Sequence, residues 1–105
     1  MIALFIILFF YTASPDSEAT IFAEQQYTIS GHVRDARSGE ELIGANVYIR
    51  NISEGTVTNQ YGFYSLTLEE GHYTIGYSYV GYASVEKKII LENNQSINIE
   101  LQETS

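Results

Sequence analysis

From Tyr27 to Leu101, apolar and polar side chains alternate one by one, in short runs split by glycine, asparagine and serine. No other feature constrains the fold as tightly. Successive side chains of a strand point to opposite faces, so strict alternation marks a strand with one face in a core and one in water. Tyr27, Ile29, Gly31 and Val33 share one face, and Thr28, Ser30, His32 and Arg34 the other. Gly31 on the apolar face leaves room for a large neighbour or marks a bulge. Asp35 to Gly44 reads as a connection. Asp35, Ser38 and Gly39 are its turn residues and Leu42-Ile43 its apolar plug. Ala45, Val47 and Ile49 then face inward, with Asn46, Tyr48 and Arg50 outward.

The run Glu54–Leu66 concentrates turn residues between β-formers. Thr56-Val57-Thr58 reads as a short strand, and Asn59-Gln60-Tyr61-Gly62 as a four-residue turn set by the backbone angles of Asn59 and Gly62. Phe63 to Leu68 follows, with Tyr64, Leu66 and Leu68 inward. Gly71 punctuates the next connection. Tyr73, Ile75, Tyr77 and Tyr79 line one face of a strand that Gly81 ends. Tyr82 to Leu91 forms a further strand, in which Lys87 and Lys88 read as protection of a sheet edge. Ile97, Ile99 and Leu101 line the last one. Six or seven strands with closely spaced turns and no amphipathic helix predict an all-β sandwich with Greek-key connections.

The N-terminus departs from this pattern. Met1 to Phe10 is ten residues without a charge, about half of what a transmembrane helix needs. It matches a signal-peptide apolar region, the reading preferred here over a membrane anchor or a buried helix. No Lys or Arg precedes the run, and Ser14, Ala19 and Ala23 each offer a cleavage point. Ala23 is favoured because it leaves Glu24-Gln25-Gln26 as a polar start before the first strand. The expected organisation is therefore a signal peptide over 1–23 and one domain over 24–105. All five basic side chains and eleven of the thirteen acidic ones lie beyond Ala23, a net charge of −6. That balance argues against a nucleic-acid partner and against docking on anionic lipid. Cysteine is absent, so the domain stands on its core alone and thiol chemistry is excluded.

No catalytic constellation, cofactor motif or metal set emerges. His32 and His72 both fall on solvent-facing positions, without the neighbours of a zinc site or a GxSxG nucleophile. Glu40-Glu41 and Glu69-Glu70 are turn carboxylates. Asp35, Glu40 and Glu41 are a calcium candidate, but the spacing of a calcium loop is missing. Most of the nine tyrosines fall in or beside alternating strands, where packing is their ordinary role. Tyr48, Tyr61 and Phe63 are the aromatics expected to be exposed.

The order of motifs adds a resemblance. Ser30-Gly31-His32-Val33-Arg34-Asp35 precedes Ser38-Gly39-Glu40-Glu41-Leu42-Ile43-Gly44-Ala45-Asn46-Val47. Gly55-Thr56-Val57-Thr58-Asn59 and Gly62-Phe63-Tyr64-Ser65-Leu66 follow, then Gly71-His72-Tyr73-Thr74-Ile75 and Ser78-Tyr79-Val80-Gly81-Tyr82. The series, from about Tyr27 to Leu101, resembles the carboxypeptidase-regulatory-like domain, a transthyretin-like, seven-stranded Greek-key β-sandwich. The variant it resembles is the N-terminal domain of SusC-type TonB-dependent outer-membrane receptors. There it follows a signal peptide and precedes the plug and the barrel, and Leu101–Ser105 resembles the exit towards that plug. The resemblance implies a non-catalytic, exported accessory module, periplasmic or outer-membrane associated, serving nutrient transport, and leaves the chain as a fragment of a receptor, a product truncated before the plug, or a stand-alone copy. Its implied partner is protein: the receptor's plug or barrel, or a periplasmic component. It supplies no catalytic, cofactor-binding or metal residues to carry over. The alternative is a module that binds carbohydrate or another surface ligand through Tyr48 and Phe63.

Overall fold

The computed structural model describes residues 25–104. The apolar N-terminal run and its cleavage point lie outside the described residues. The strands are β1 (Gln26–Asp35), β2 (Asn46–Ile49), β3 (Gly55–Val57), β4 (Phe63–Glu69), β5 (Gly71–Ser78), β6 (Val85–Leu91), β7 (Gln95–Ser96) and β8 (Ile99–Leu101). One sheet runs β4-β1-β7, with β8 also on β1, and the other runs β3-β2-β5-β6. The chain crosses between the sheets after β1, β3, β4 and β6, which makes the expected sandwich.

The strand count is eight rather than seven, because the last predicted strand is broken. Its halves, β7 and β8, both pair parallel with β1, at Ile29–Ser30 and at Val33–Asp35. Between them the backbone bulges at Ile97 and Asn98. A Cβ on Gly31 would run into the Ile97 carbonyl, so the glycine on the apolar face admits a backbone rather than a large side chain. Ladder bonds lost at the break are replaced. Ile97 N–H donates to Ser30 O (2.8 Å), and the Asn98 side chain accepts from His32 N–H (2.9 Å). Asn94 does the same for Thr28 N–H (2.8 Å).

The core follows the alternation closely. Ile29 and Val33 from β1, Val47 and Ile49 from β2, and Leu66 and Leu68 from β4 are buried, joined by Ile75, Leu91, Ile99 and Leu101. Each such side chain contributes about 2 kcal/mol of burial. The apolar plug divides differently from expectation. Leu42 is buried and Ile43 is 56% exposed, because the chain turns at Ile43-Gly44, where Gly44 takes a positive φ. Thr58 is a buried hydroxyl that links the strands, accepting from Ala45 N–H (2.8 Å) and donating to Leu42 O.

Two tyrosines complete the interior. Tyr64 on β4 and Tyr77 on β5 belong to opposite sheets, and both are almost fully buried. Their rings meet edge to face at 5.6 Å, and their hydroxyls are 2.7 Å apart. Tyr64 donates to the Ile97 carbonyl at 2.7 Å, which leaves Tyr77 as the donor to Tyr64. Burial pushes both phenols well up from their ordinary value, so both stay protonated and able to donate. The bond series runs from one sheet to the other and ends on the bulge that breaks the last strand.

The turn before β4 also departs from expectation at one residue. Gly62 takes φ +69°, whereas Asn59 is not in the left-handed region. Asn59 acts through its side chain instead. Its Oδ1 accepts from Tyr61 N–H (2.8 Å) and Phe63 N–H (3.1 Å), an Asx-type turn. The non-glycine residue with positive φ among those described is Asn51.

The turn and the tyrosine pair can each be tested by stability. Gly62→Val should lower stability by about 1 kcal/mol or more in thermal unfolding, because φ is positive there and a Cβ would crowd Val33 O. Tyr64→Phe should cost about 1–3 kcal/mol in denaturant unfolding, since it strands a buried carbonyl and a buried donor. Tyr77→Phe leaves the Ile97 carbonyl satisfied and should cost about 1 kcal/mol. The reverse order would contradict the assigned donor direction.

Candidate functional site

The residues singled out from the sequence do not gather. His32 lies on β1 and His72 on β5, in different sheets. His32 is half-buried, with its ring against Phe63 at 5.3 Å and 62°. Phe63 is correspondingly half-buried rather than exposed. His72 is exposed. It lines a shallow groove of about 550 Å³ with Arg50, Ile52, Lys88 and Ile90. Among the described residues no three His, Asp or Glu side chains come together as a metal set.

The calcium candidate turns out to be a structural carboxylate. Asp35 is buried at the end of β1. Its Oδ1 accepts from Arg37 N–H (2.7 Å) and Ser38 N–H (2.8 Å). Its Oδ2 accepts from the Tyr82 hydroxyl at 2.7 Å. The Tyr82 bond, followed by those from the backbone, holds Asp35 from its ordinary 3.8 down to about 2. The same carboxylate raises Tyr82 to about 12. Glu41 instead faces Arg34 at 3.8 Å, and Glu40 is exposed.

Nor do the exposed aromatics form a platform. Tyr48 is 36% exposed on the outer face of the β3-β2-β5-β6 sheet. Its ring lies across Gly76 of β5, where a Cβ would strike it. It covers backbone that the glycine leaves bare. Tyr61 is 59% exposed in the turn leading into β4, and Phe63 belongs to the opposite sheet.

What the surface does offer is sheet edges. Among the described residues, β3, β4, β6 and the β7/β8 pair each have one side without a strand partner. Lys87 and Lys88 lie on β6, which is indeed an edge. Lys87 sits opposite buried Ile75, on the core-facing side of the strand. An inward-pointing charge of that kind discourages strand addition.

Comparison with known proteins bears on what such a domain belongs to. A family model, the CarboxypepD_reg-like domain, matches residues 29–105. The chain belongs to that family. The TonB-dependent receptor SusC of Bacteroides thetaiotaomicron is 34% identical over 70 residues, which cover 67% of this chain and 7% of the receptor. The chain therefore corresponds to a small part of that curated relative. Among solved structures, a Bacteroides fragilis protein of unknown function superposes with a TM-score of 0.56 at 25% identity, covering 79% of this chain and 30% of the other. A chain of a type II cohesin–X-dockerin complex from Acetivibrio cellulolyticus superposes at 0.58, with 16% identity over 70% of this chain and 52% of that one. The last likeness is one of fold. The carboxypeptidase-regulatory-like domain is thus an all-β sandwich here, as the ordered motifs imply.

Asp35 generates a pH prediction. Its folded value lies below its unfolded value, so between them the unfolded chain binds more protons and stability rises with pH. The contribution is complete above about 3.8 and is lost as pH falls towards about 2. Asp35→Asn should flatten the stability profile across that window, measured by denaturant unfolding at fixed salt. An unchanged acid slope would contradict the Tyr82–Asp35 assignment.

Proposed function

We propose that this domain is a non-catalytic, exported interaction module, the N-terminal accessory domain of a TonB-dependent outer-membrane receptor for nutrient uptake. The observation that carries the reading is the match to SusC, which spans most of the sandwich at 34% identity. The chemistry of the domain agrees with it. The two histidines are apart, the buried carboxylate serves a turn, and the buried phenols join the sheets. What remains for partners is surface: sheet edges and an acidic exterior. The partner is protein, either the plug or barrel that follows such a domain or a periplasmic component. The domain works in the periplasm, next to the outer membrane.

Carbohydrate binding through aromatics has a weaker basis, because Tyr48 and Phe63 lie on different sheets. Calorimetry against a glycan panel should give no saturable heat that Tyr48→Ala abolishes. The receptor reading is tested by sequencing the transcript through the codon for Ser105. Continuation into a plug-and-barrel reading frame is expected. An unrelated neighbouring frame would overturn it.

A further inference from the structure

The four edges of the sandwich are not equivalent. β3 is three residues long, β6 carries Lys87 and Lys88, and the β7/β8 edge is broken at Ile97–Asn98. Short strands, lysines and bulges are the devices that keep edges from pairing with other chains. β4 has none of them. It runs seven residues, FYSLTLE, with no proline, no basic residue and no break in its register with β1.

Its unpaired groups can be assigned. Val33 N–H donates to Gly62 O, and Glu70 N–H to Gln25 O. With the continuous register between them, these bonds put the backbone of Tyr64, Leu66 and Leu68 towards β1. Ser65 and Thr67 therefore direct N–H and C=O away from the sheet. Among the described residues no backbone partner meets them. Both side chains are exposed.

A recess of about 260 Å³ opens beside the end of this edge, between Thr67 and Glu69 on one side and Ile52 and Glu54 on the other, with Tyr73 at its wall. Among the described residues neither Glu54 nor Glu69 enters an ion pair. The recess thus combines apolar walls with two exposed, unpaired carboxylates. A lysine or arginine fits that combination, with its stem on Ile52 and Tyr73 and its charge at the carboxylates. The basic side chains of the described residues lie elsewhere. Arg34 and Arg50 face Glu41 and Glu86, Arg37 is in the turn after β1 beside Asp35, and the lysines are on β6.

We propose that the free edge of β4 is a strand-addition site for an extended segment of another protein, one with a basic residue placed to enter the Glu54–Glu69 recess. Backbone bonds to Ser65 and Thr67 supply the docking, and the recess supplies the choice of sequence. The proposal rests on the interaction-module reading and names the surface and the class of partner.

The test uses the ¹⁵N-labelled chain and two capped octapeptides of alternating threonine and valine, one with a central lysine and one with a central glutamate. The lysine peptide should shift the amides of Ser65, Thr67 and Glu69 and bind about threefold tighter than the glutamate peptide. Glu54→Gln should shrink that preference. Ser65→Pro removes an outward N–H that β1 does not use, and should abolish the shifts with the fold intact. Thr67→Lys should do the same by adding the charge that guards β6, so the test survives if the proline variant unfolds. Shifts centred on Tyr48 or β6 would overturn the β4 assignment and leave the module reading standing. No shifts, or pairing of two copies through β4 in sedimentation, would also overturn it. The receptor reading is judged separately, by the transcript.

Discussion

The bond series from Tyr77 through Tyr64 to the Ile97 carbonyl is the interaction on which the rest of the sandwich depends. A chain without cysteine has no covalent tie between its sheets. Apolar burial holds the sheets together but does not fix how one slides over the other. Two buried hydroxyls at 2.7 Å do, because each misplaced polar group in that interior costs more than a well-placed one contributes. The bulge at Ile97 turns a carbonyl inward to end the series. That bulge requires a residue without a side chain opposite, and Gly31 is that residue. Asn94 and Asn98 then take up the β1 donors beside the broken ladder.

The same construction decides what the surface can do. Among the described residues, the buried polar side chains Asp35 and Thr58 are committed to architecture. Asp35 closes a turn and anchors Tyr82, and Thr58 joins Ala45 to Leu42. The surface offers backbone at the sheet edges, carboxylates beside them, and the groove lined by Arg50, His72 and Lys88. The interaction role proposed above accords with the family and with the likeness to one stretch of a much larger receptor.

Much of this is legible in the sequence. Two-residue alternation located most strands and most of the core, since burial on one face of a strand is what the pattern records. It placed Tyr64 inward but was silent on its hydroxyl, because hydrogen-bond partners thirty-three residues away leave no local mark. The break in the last strand was hidden for the same reason. Ile97, Ile99 and Leu101 keep their spacing while the backbone between them departs from the ladder. Asn59 marks its turn in the sequence without showing how it acts there, as asparagine serves turns both by its backbone and by its side chain. Tyr48 was correctly placed outside, yet the ring covers Gly76, a cross-strand neighbour known only from the register. The edges were partly readable. Lys87 and Lys88 announced β6, whereas the open edge of β4 is defined by what does not pair with it.

The claim that one hydrogen-bonded series couples the two sheets is tested most directly by a double-mutant cycle on Tyr64→Phe and Tyr77→Phe, read by denaturant unfolding. The account predicts that the double variant loses less stability than the two single variants together, with a coupling of about 1 kcal/mol or more. Additivity to within about 0.3 kcal/mol would show that the hydroxyls act independently and would contradict it.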